Sequence, residues 1–179
     1  ENGLFAPVSA LCQTQYGPVK GREGENGQLS WYGIPYGAAP TGESRWTAPQ
    51  EPARWHTVRD CTSPAPAAYQ YTTFPLGTED CLTLDIYSSA EAKKRPVLVY
   101  LHGAATGSSL ELPGCELVRD AGCVFVALNY RLGLFGWNCL PALTADPDVT
   151  GNFALLDIAR ALDWVRDNIR RFGGDLSLI

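Results

Sequence analysis

The 179-residue sequence predicts an α/β fold, and two patterns predict it. Residues 82–87, 96–102 and 123–130 are apolar runs of strand length with little polar alternation, the pattern of strands covered by helices on both faces. Further on, Leu155, Ile158, Leu162, Val165, Ile169 and Phe172 recur at spacings of three and four, which is one stripe of a long helix.

The elements follow in chain order within one domain spanning 1–179. Residues 10–36 alternate short apolar runs with Tyr16-Gly17-Pro18, Glu25-Asn26-Gly27 and Gly33, turn chemistry that predicts a small antiparallel sheet. Residues 37–77 are rich in Pro, Ala, Ser and Thr and hold neither period; they read as a long ordered connection anchored by Trp46 and Trp55. From 78 to 179 the expectation is a central, mostly parallel sheet with crossover helices, the first of them at 112–121. Asn152 stands as N-cap of the long helix, Gly173 and Gly174 as its stop, and 176–179 as the start of a further strand.

Composition excludes several functions. A net charge of −5 with scattered basic residues leaves no electrostatic footprint for nucleic acid. The longest apolar run is far short of the roughly 18 to 20 residues that span a bilayer. Cys12, Cys61, Cys81, Cys115, Cys123 and Cys139 lack the close pairing of a zinc site, so no metal is expected. They read as reduced structural thiols, with Cys61 and Cys81 the one pair to test as a disulfide. From Glu1 onward there is no basic stretch leading into an apolar one, and no Asn-x-Ser/Thr acceptor occurs. A cytoplasmic home is the expectation, and secretion with the leader removed is the alternative.

The chemical motif is His102-Gly103-Ala104-Ala105-Thr106-Gly107-Ser108, directly after the predicted strand 96–102. Small residues there leave main-chain N–H groups open to a ligand oxygen at the strand's carboxyl end, where they can hold a developing oxyanion. An ordinary glycine-rich strand-to-helix turn is the other reading of the same residues.

Around that motif the sequence resembles the carboxylesterase and cholinesterase family of α/β-hydrolases, in order, over nearly the whole chain. Thr14-Gln15-Tyr16-Gly17-Pro18-Val19-Lys20-Gly21 resembles the family's opening hairpin, and Tyr32-Gly33-Ile34-Pro35-Tyr36-Gly37 its GIPYA segment. Thr78 to Tyr87 resembles the SEDCLYLNIY strand, and Asn129-Tyr130-Arg131-Leu132-Gly133 resembles NYRLG. Gly151-Asn152-Phe153-Ala154-Leu155-Leu156-Asp157 and Phe172-Gly173-Gly174-Asp175 resemble the helix before the nucleophile and its end.

The resemblance implies an α/β-hydrolase fold, its N-terminal portion ending before the nucleophile elbow, and a serine carboxylesterase that needs no cofactor and acts on a small-molecule ester. The oxyanion donors would be the N–H groups of Ala104 and Ala105, which stand where the family's HGGG pattern has glycines; His102 would orient the loop. The loop also reaches Thr106-Gly107-Ser108 about two residues early. The Gly-x-Ser-x-Gly elbow is expected roughly six residues beyond Ile179, with the acid and the catalytic His further on. On that reading residues 1–179 need the remainder of their fold and are inactive alone. The alternatives are a catalytically silent binding or adhesion module, and an inactive truncated fragment.

Neither His102 nor His56 reads as a catalytic base, and Ser108 and Ser109 read as caps of the following turn. The resemblance also implies internal ion pairs, Arg131 with Asp157 and Arg45 with Glu79. Trp31 and Tyr32 read as packing, whereas Tyr69, Tyr71 and Phe74 read equally as packing or as the lining of a substrate pocket.

Overall fold

A computed structural model describes residues 7–143 and 151–179. Its centre is a five-stranded sheet in the order β3 (Arg22–Glu23), β4 (Gln28–Pro35), β8 (Thr83–Ser89), β10 (Val124–Leu128), β9 (Val97–Tyr100). Beside it lies a three-stranded sheet of β1 (Leu11–Gln13), β2 (Pro18–Lys20) and β5 (Arg59–Asp60), and β6 (Gln70–Tyr71) pairs with β7 (Pro75–Leu76) as a hairpin. The helices are α1 (Gly114–Ala121), α2 (Gly133–Trp137) and α3 (Phe153–Asn168).

Strands β8 and β10 are buried on both faces, as predicted; β10 is apolar throughout, whereas β8 interleaves Thr83, Asp85, Ser88 and Ser89 with its apolar residues. Val124, Val126 and Leu128 join Leu84, Ile86, Trp31, Trp164 and Phe172 on one face; Phe125 and Ala127 join Tyr87 and Val118 of α1 on the other. This is the two-residue alternation of a strand with apolar side chains at both parities. On the α3 side, the ring of Trp31 meets Phe172 edge-on at 4.8 Å.

Four expectations need correction. Among the described strands of the central sheet only β10 and β9 pair in parallel, Val124 opposite Val97 through Ala127 opposite Tyr100. The other pairings are antiparallel, because α1 supplies the one helical crossover that returns the chain to the same end of the sheet. Next, 10–36 does not form a sheet of its own. Trp31 and Ile34 are large and apolar, and β4 carries them into the core, while β5 from the connection completes the small sheet by pairing in parallel with β2. Third, β9 is not covered on both faces: Val97 is buried but Leu98 is exposed. Last, 176–179 is not a strand, because the Asp175 carboxylate accepts from the Ser177 N–H at 2.9 Å and its hydroxyl at 2.8 Å, closing a local turn over Leu176–Leu178.

Helix α3 forms where expected, and Val165, Ile169 and Phe172 of the predicted stripe are buried, but in the first part of the helix a neighbouring stripe is buried instead. Ala154, Asp157, Ala161, Trp164, Val165 and Asn168 face the protein, whereas Leu155 and Leu162 are exposed. Asp157 decides the rotation. Its carboxylate accepts from Arg131 Nη2 at 2.7 Å, Nε at 2.8 Å and the main-chain N–H at 3.1 Å, with side chains 2% and 0% exposed. Burial pushes the Asp157 carboxyl upward, and the hydrogen bonds and charge of Arg131 pull against it. Asn152 sits at the N-cap, yet its carbonyl rather than its side chain makes the first bonds, to the N–H groups of Leu155 and Leu156.

A second polar device lies on the α1 face. Pairing of β4 with β8 shifts register between Trp31 and Ile34, and Gly33 takes a φ of +67° there. A Cβ at Gly33 would sit 2.6 Å from that of Ala65, so both conformation and space call for glycine. The bulge turns the Gly33 N–H onto Asp85 Oδ1 at 2.8 Å, and the Ser109 hydroxyl donates to Oδ2 at 2.6 Å. Asn129 closes the network, accepting from the Ser109 N–H at 2.9 Å and donating to its Oγ at 3.0 Å.

Cys61 and Cys81, tested as a bridge, are free buried thiols, and burial pushes each up to about 12. Arg45 and Glu79 do pair, through two hydrogen bonds of 2.6 and 2.9 Å, as the resemblance implied. Trp46 and Trp55 anchor the connection, Trp46 stacking on Phe135 at 6.2 Å and the Trp55 Nε1–H donating to the Pro18 carbonyl at 2.9 Å.

Two stability predictions follow from the buried carboxylates. Asp157→Ala strands the Arg131 charge and is expected to cost about 3–5 kcal/mol in denaturant unfolding, with most of it recovered when Arg131→Met is added; a loss under about 1 kcal/mol would contradict this. No cation pairs with Asp85 among the described residues, and burial pushes its carboxyl from 3.8 up to about 6 against the pull of Ser109 and Gly33. The folded state thus holds this proton more tightly than the unfolded chain. Stability from this group is complete below about pH 4 and falls as pH rises through about 6. Asp85→Asn should flatten that slope and gain about 2–3 kcal/mol at pH 8 with little change at pH 4; an unchanged slope would contradict the assignment.

Candidate functional site

Strands β9 and β10 run in parallel, so the segments after them, 101–109 and 129–132, emerge at the same end of the sheet. His102 is buried between them. Its ring stacks on Tyr130 with centroids 4.4 Å apart and 7° between planes, and the Tyr130 hydroxyl donates to the His102 carbonyl. Burial holds the imidazole below its ordinary pKa, so it is neutral at pH 7. Nδ1 lies 3.0 Å from the Gly103 carbonyl, which assigns its proton to that nitrogen as the donor. Nε2 is buried with no partner among the described residues. His102 therefore shapes the loop, and His56 stands exposed on the connection; neither has the surroundings of a general base.

Beyond His102, Ala104 and Ala105 are exposed, and neither N–H has a hydrogen-bond partner among the described residues. Neither alanine is in the left-handed region. Alanine in place of glycine therefore costs the backbone nothing at these two positions. The strained position is Gly107, with φ of +147°, where a Cβ would come 2.5 Å from His102 Nδ1 and 2.7 Å from Glu111 Oε1.

Other elements hold the loop at three points. Trp137 Nε1–H, at the end of α2, donates to the Ala104 carbonyl at 2.9 Å. The Gln70 side-chain amide, on the β6–β7 hairpin, pairs with Gly107 in both directions at 2.9 Å, accepting from its N–H and donating to its carbonyl. Ser109 is fixed by the Asp85 and Asn129 network. Ser108 caps the next turn as expected, its Oγ accepting from the Leu110 N–H at 3.2 Å, but Ser109 does not, because its hydroxyl is committed to Asp85.

The aromatic candidates separate. Tyr69 packs edge-on against Phe135 at 5.4 Å, Trp31 is core, and Tyr32 meets Tyr87 edge-on at 5.7 Å. Tyr71 and Phe74 stand exposed at the hairpin. The gap among Tyr69, Arg131 and Phe135 holds about 10 Å³, room for one water at most. A larger hollow of about 290 Å³, near Gln28, Arg95 and Arg119, lies at the opposite ends of the strands from the loop. Among the described residues no group of three or more His, Cys, Asp or Glu side chains could hold a metal ion, and no helix is long and apolar enough to cross a membrane.

Sequence reasoning missed Gln70, Asp85, Asn129 and Trp137 as supports of the loop. Only Asp85 left a signal, a carboxylate within an apolar strand.

The chain is similar in sequence and in fold to known proteins. The profile of the Carboxylesterase family matches residues 8–179. The chain is 41% identical over 178 residues to para-nitrobenzyl esterase from Bacillus subtilis (strain 168), covering 92% of this chain and 36% of that protein. It is 38% identical over 176 residues to fumonisin B1 esterase from Sphingopyxis macrogoltabida, covering 90% of this chain and 32% of that one. The solved carboxylesterase of Geobacillus stearothermophilus superimposes with a TM-score of 0.84 at 38% identity, over 93% of this chain and 36% of its own. The chain thus spans 36% or less of the length of these relatives. A family match over 8–179, together with a shared fold at this identity, means that the chain belongs to the carboxylesterase family.

Proposed function

We propose that this chain is the front part of a serine-dependent carboxylic-ester hydrolase and supplies two donors of its oxyanion hole, the N–H groups of Ala104 and Ala105. The observation that carries the reading is the pair of adjacent, unpartnered amides at the carboxyl end of β9, on a loop held from three sides. In acyl transfer the ester carbonyl oxygen gains charge as the nucleophile attacks. Fixed main-chain donors stabilise that charge without reorganising, and each is worth roughly 10²–10³-fold in kcat.

The nucleophilic Ser, its acid and its His belong, on this proposal, to polypeptide following Ile179. A Ser activated by His would form an acyl-enzyme that water then releases, with a small-molecule ester as substrate. Residues 1–179 alone would carry no turnover. The alternative, a silent binding module, draws on alanine at 104 and 105 and on the loop being about two residues short; the absence of positive φ at both alanines favours the hydrolase reading on the first of these, and the short loop still speaks for the alternative.

The test is intact mass, fluorophosphonate labelling and p-nitrophenyl acetate turnover on one full-length sample. The expected result is a single label on a Ser beyond Ile179 together with turnover. Ala105→Pro, which deletes one donor, is expected to lower kcat roughly 10²–10³-fold with KM changed only several-fold. A folded full-length protein with neither label nor turnover would overturn the hydrolase reading in favour of the binding module.

A further inference from the structure

Each peptide unit is planar and trans, so the carbonyl of one residue and the N–H of the next point in opposite directions. Whatever grips the carbonyl therefore sets where the following amide points. Two successive peptide units of the loop are gripped in this way. His102 Nδ1 holds the Gly103 carbonyl, and that plane carries the Ala104 N–H. Trp137 Nε1–H holds the Ala104 carbonyl, and that plane carries the Ala105 N–H. Both amides are left without partners among the described residues. The first grip is made within the loop, but the second comes from outside it, 33 residues along the chain.

Trp137 is well placed for this work. Helix α2 lies tight against α3, because a Cβ at Gly136 would come 2.2 Å from the Arg131 carbonyl and 3.0 Å from the Ala154 Cβ. The Trp137 ring is half-buried against the main core, and its one polar atom reaches out of that packing to the loop. An indole offers a single donor and no acceptor, so a rigid ring gives the bond a fixed direction. Gln70 grips Gly107 but leaves residues 104 and 105 untouched.

We propose that Trp137 is a positioning residue that aims the Ala105 amide at the oxyanion by holding the Ala104 carbonyl. It touches no reacting atom and acts through the peptide plane. The proposal deepens the oxyanion reading and rests on it for its catalytic consequence, whereas the aiming itself stands on the geometry alone.

The test uses the full-length protein and Trp137→Phe, which keeps a packing ring and loses the donor. In protein carrying ¹³C-carbonyl and ¹⁵N alanine, an amide spectrum filtered for directly bonded ¹³C and ¹⁵N selects Ala–Ala pairs, which in this stretch are 38–39, 67–68 and 104–105. Trp137→Phe is expected to move the Ala105 amide and leave Ala39 and Ala68 in place; an unmoved Ala105 signal overturns the aiming. The kinetic expectation is a fall in kcat of roughly 5–10-fold with KM within about twofold, the mark of a contact used in the transition state. Unchanged kcat, or an effect confined to KM, overturns the positioning role. A wild-type protein that neither turns over nor takes the fluorophosphonate label sinks the oxyanion reading, while the Ala105 signal still decides the aiming. Benzothienylalanine at 137, which replaces only the indole N–H by sulfur, repeats both readings with the ring's shape intact should the Phe variant not fold.

Discussion

The buried pair of Arg131 and Asp157 sets the arrangement on which the rest depends. Two ions removed from water at 2% and 0% exposure require near-complete hydrogen bonding, and they have it. The guanidinium makes two bonds to Asp157, a third to the Arg45 carbonyl at 2.9 Å, and lies over the Phe153 ring at 5.2 Å. One side chain therefore joins the segment after β10 to α3 and to the long connection. Arg45 then pairs with Glu79, just before β8.

That constraint reaches the candidate site through packing. Because Asp157 must face Arg131, Ala154 on the same stripe of α3 faces inward, and α2 settles on it through Gly136. Helix α2 carries Trp137, and Trp137 grips the loop. From the other face of the sheet, Asp85 fixes the loop's far end by way of Ser109, while Gln70 fixes its middle. If, as proposed, the loop holds two amides open to a ligand, it cannot satisfy them itself, and its rigidity comes from neighbours that use its carbonyls and its other residues.

How far this could be read from sequence follows from which forces leave a local trace. Strands β8 and β10, α1 and α3 were legible because burial on both faces or on one stripe imposes a pattern on nearby residues. The strand-end loop was legible because small residues after an apolar run are unusual, and the family motifs gave the ion pairs of Arg131 with Asp157 and of Arg45 with Glu79. The buried face of α3 was read correctly at Val165 and misread earlier, at Leu155 and Leu162, because the buried stripe there contains Asp157, which a count of apolar residues discards. The partner of β2 and the exposure of Leu98 depend on contacts distant in sequence, where no period helps. Trp137 and Gln70 look like any aromatic and any amide until the fold brings each within 2.9 Å of the loop.

The claim at the centre is that Ala104 and Ala105 are the donors that meet the oxyanion. The most direct measurement is a crystal structure of the full-length protein carrying a phosphonate on its nucleophilic serine, since the phosphoryl oxygen occupies the oxyanion position. The account predicts that oxygen at about 3 Å from both alanine nitrogens, with the Trp137 bond to the Ala104 carbonyl intact. An oxygen beyond about 4 Å from either nitrogen, or one held by other donors, would contradict it.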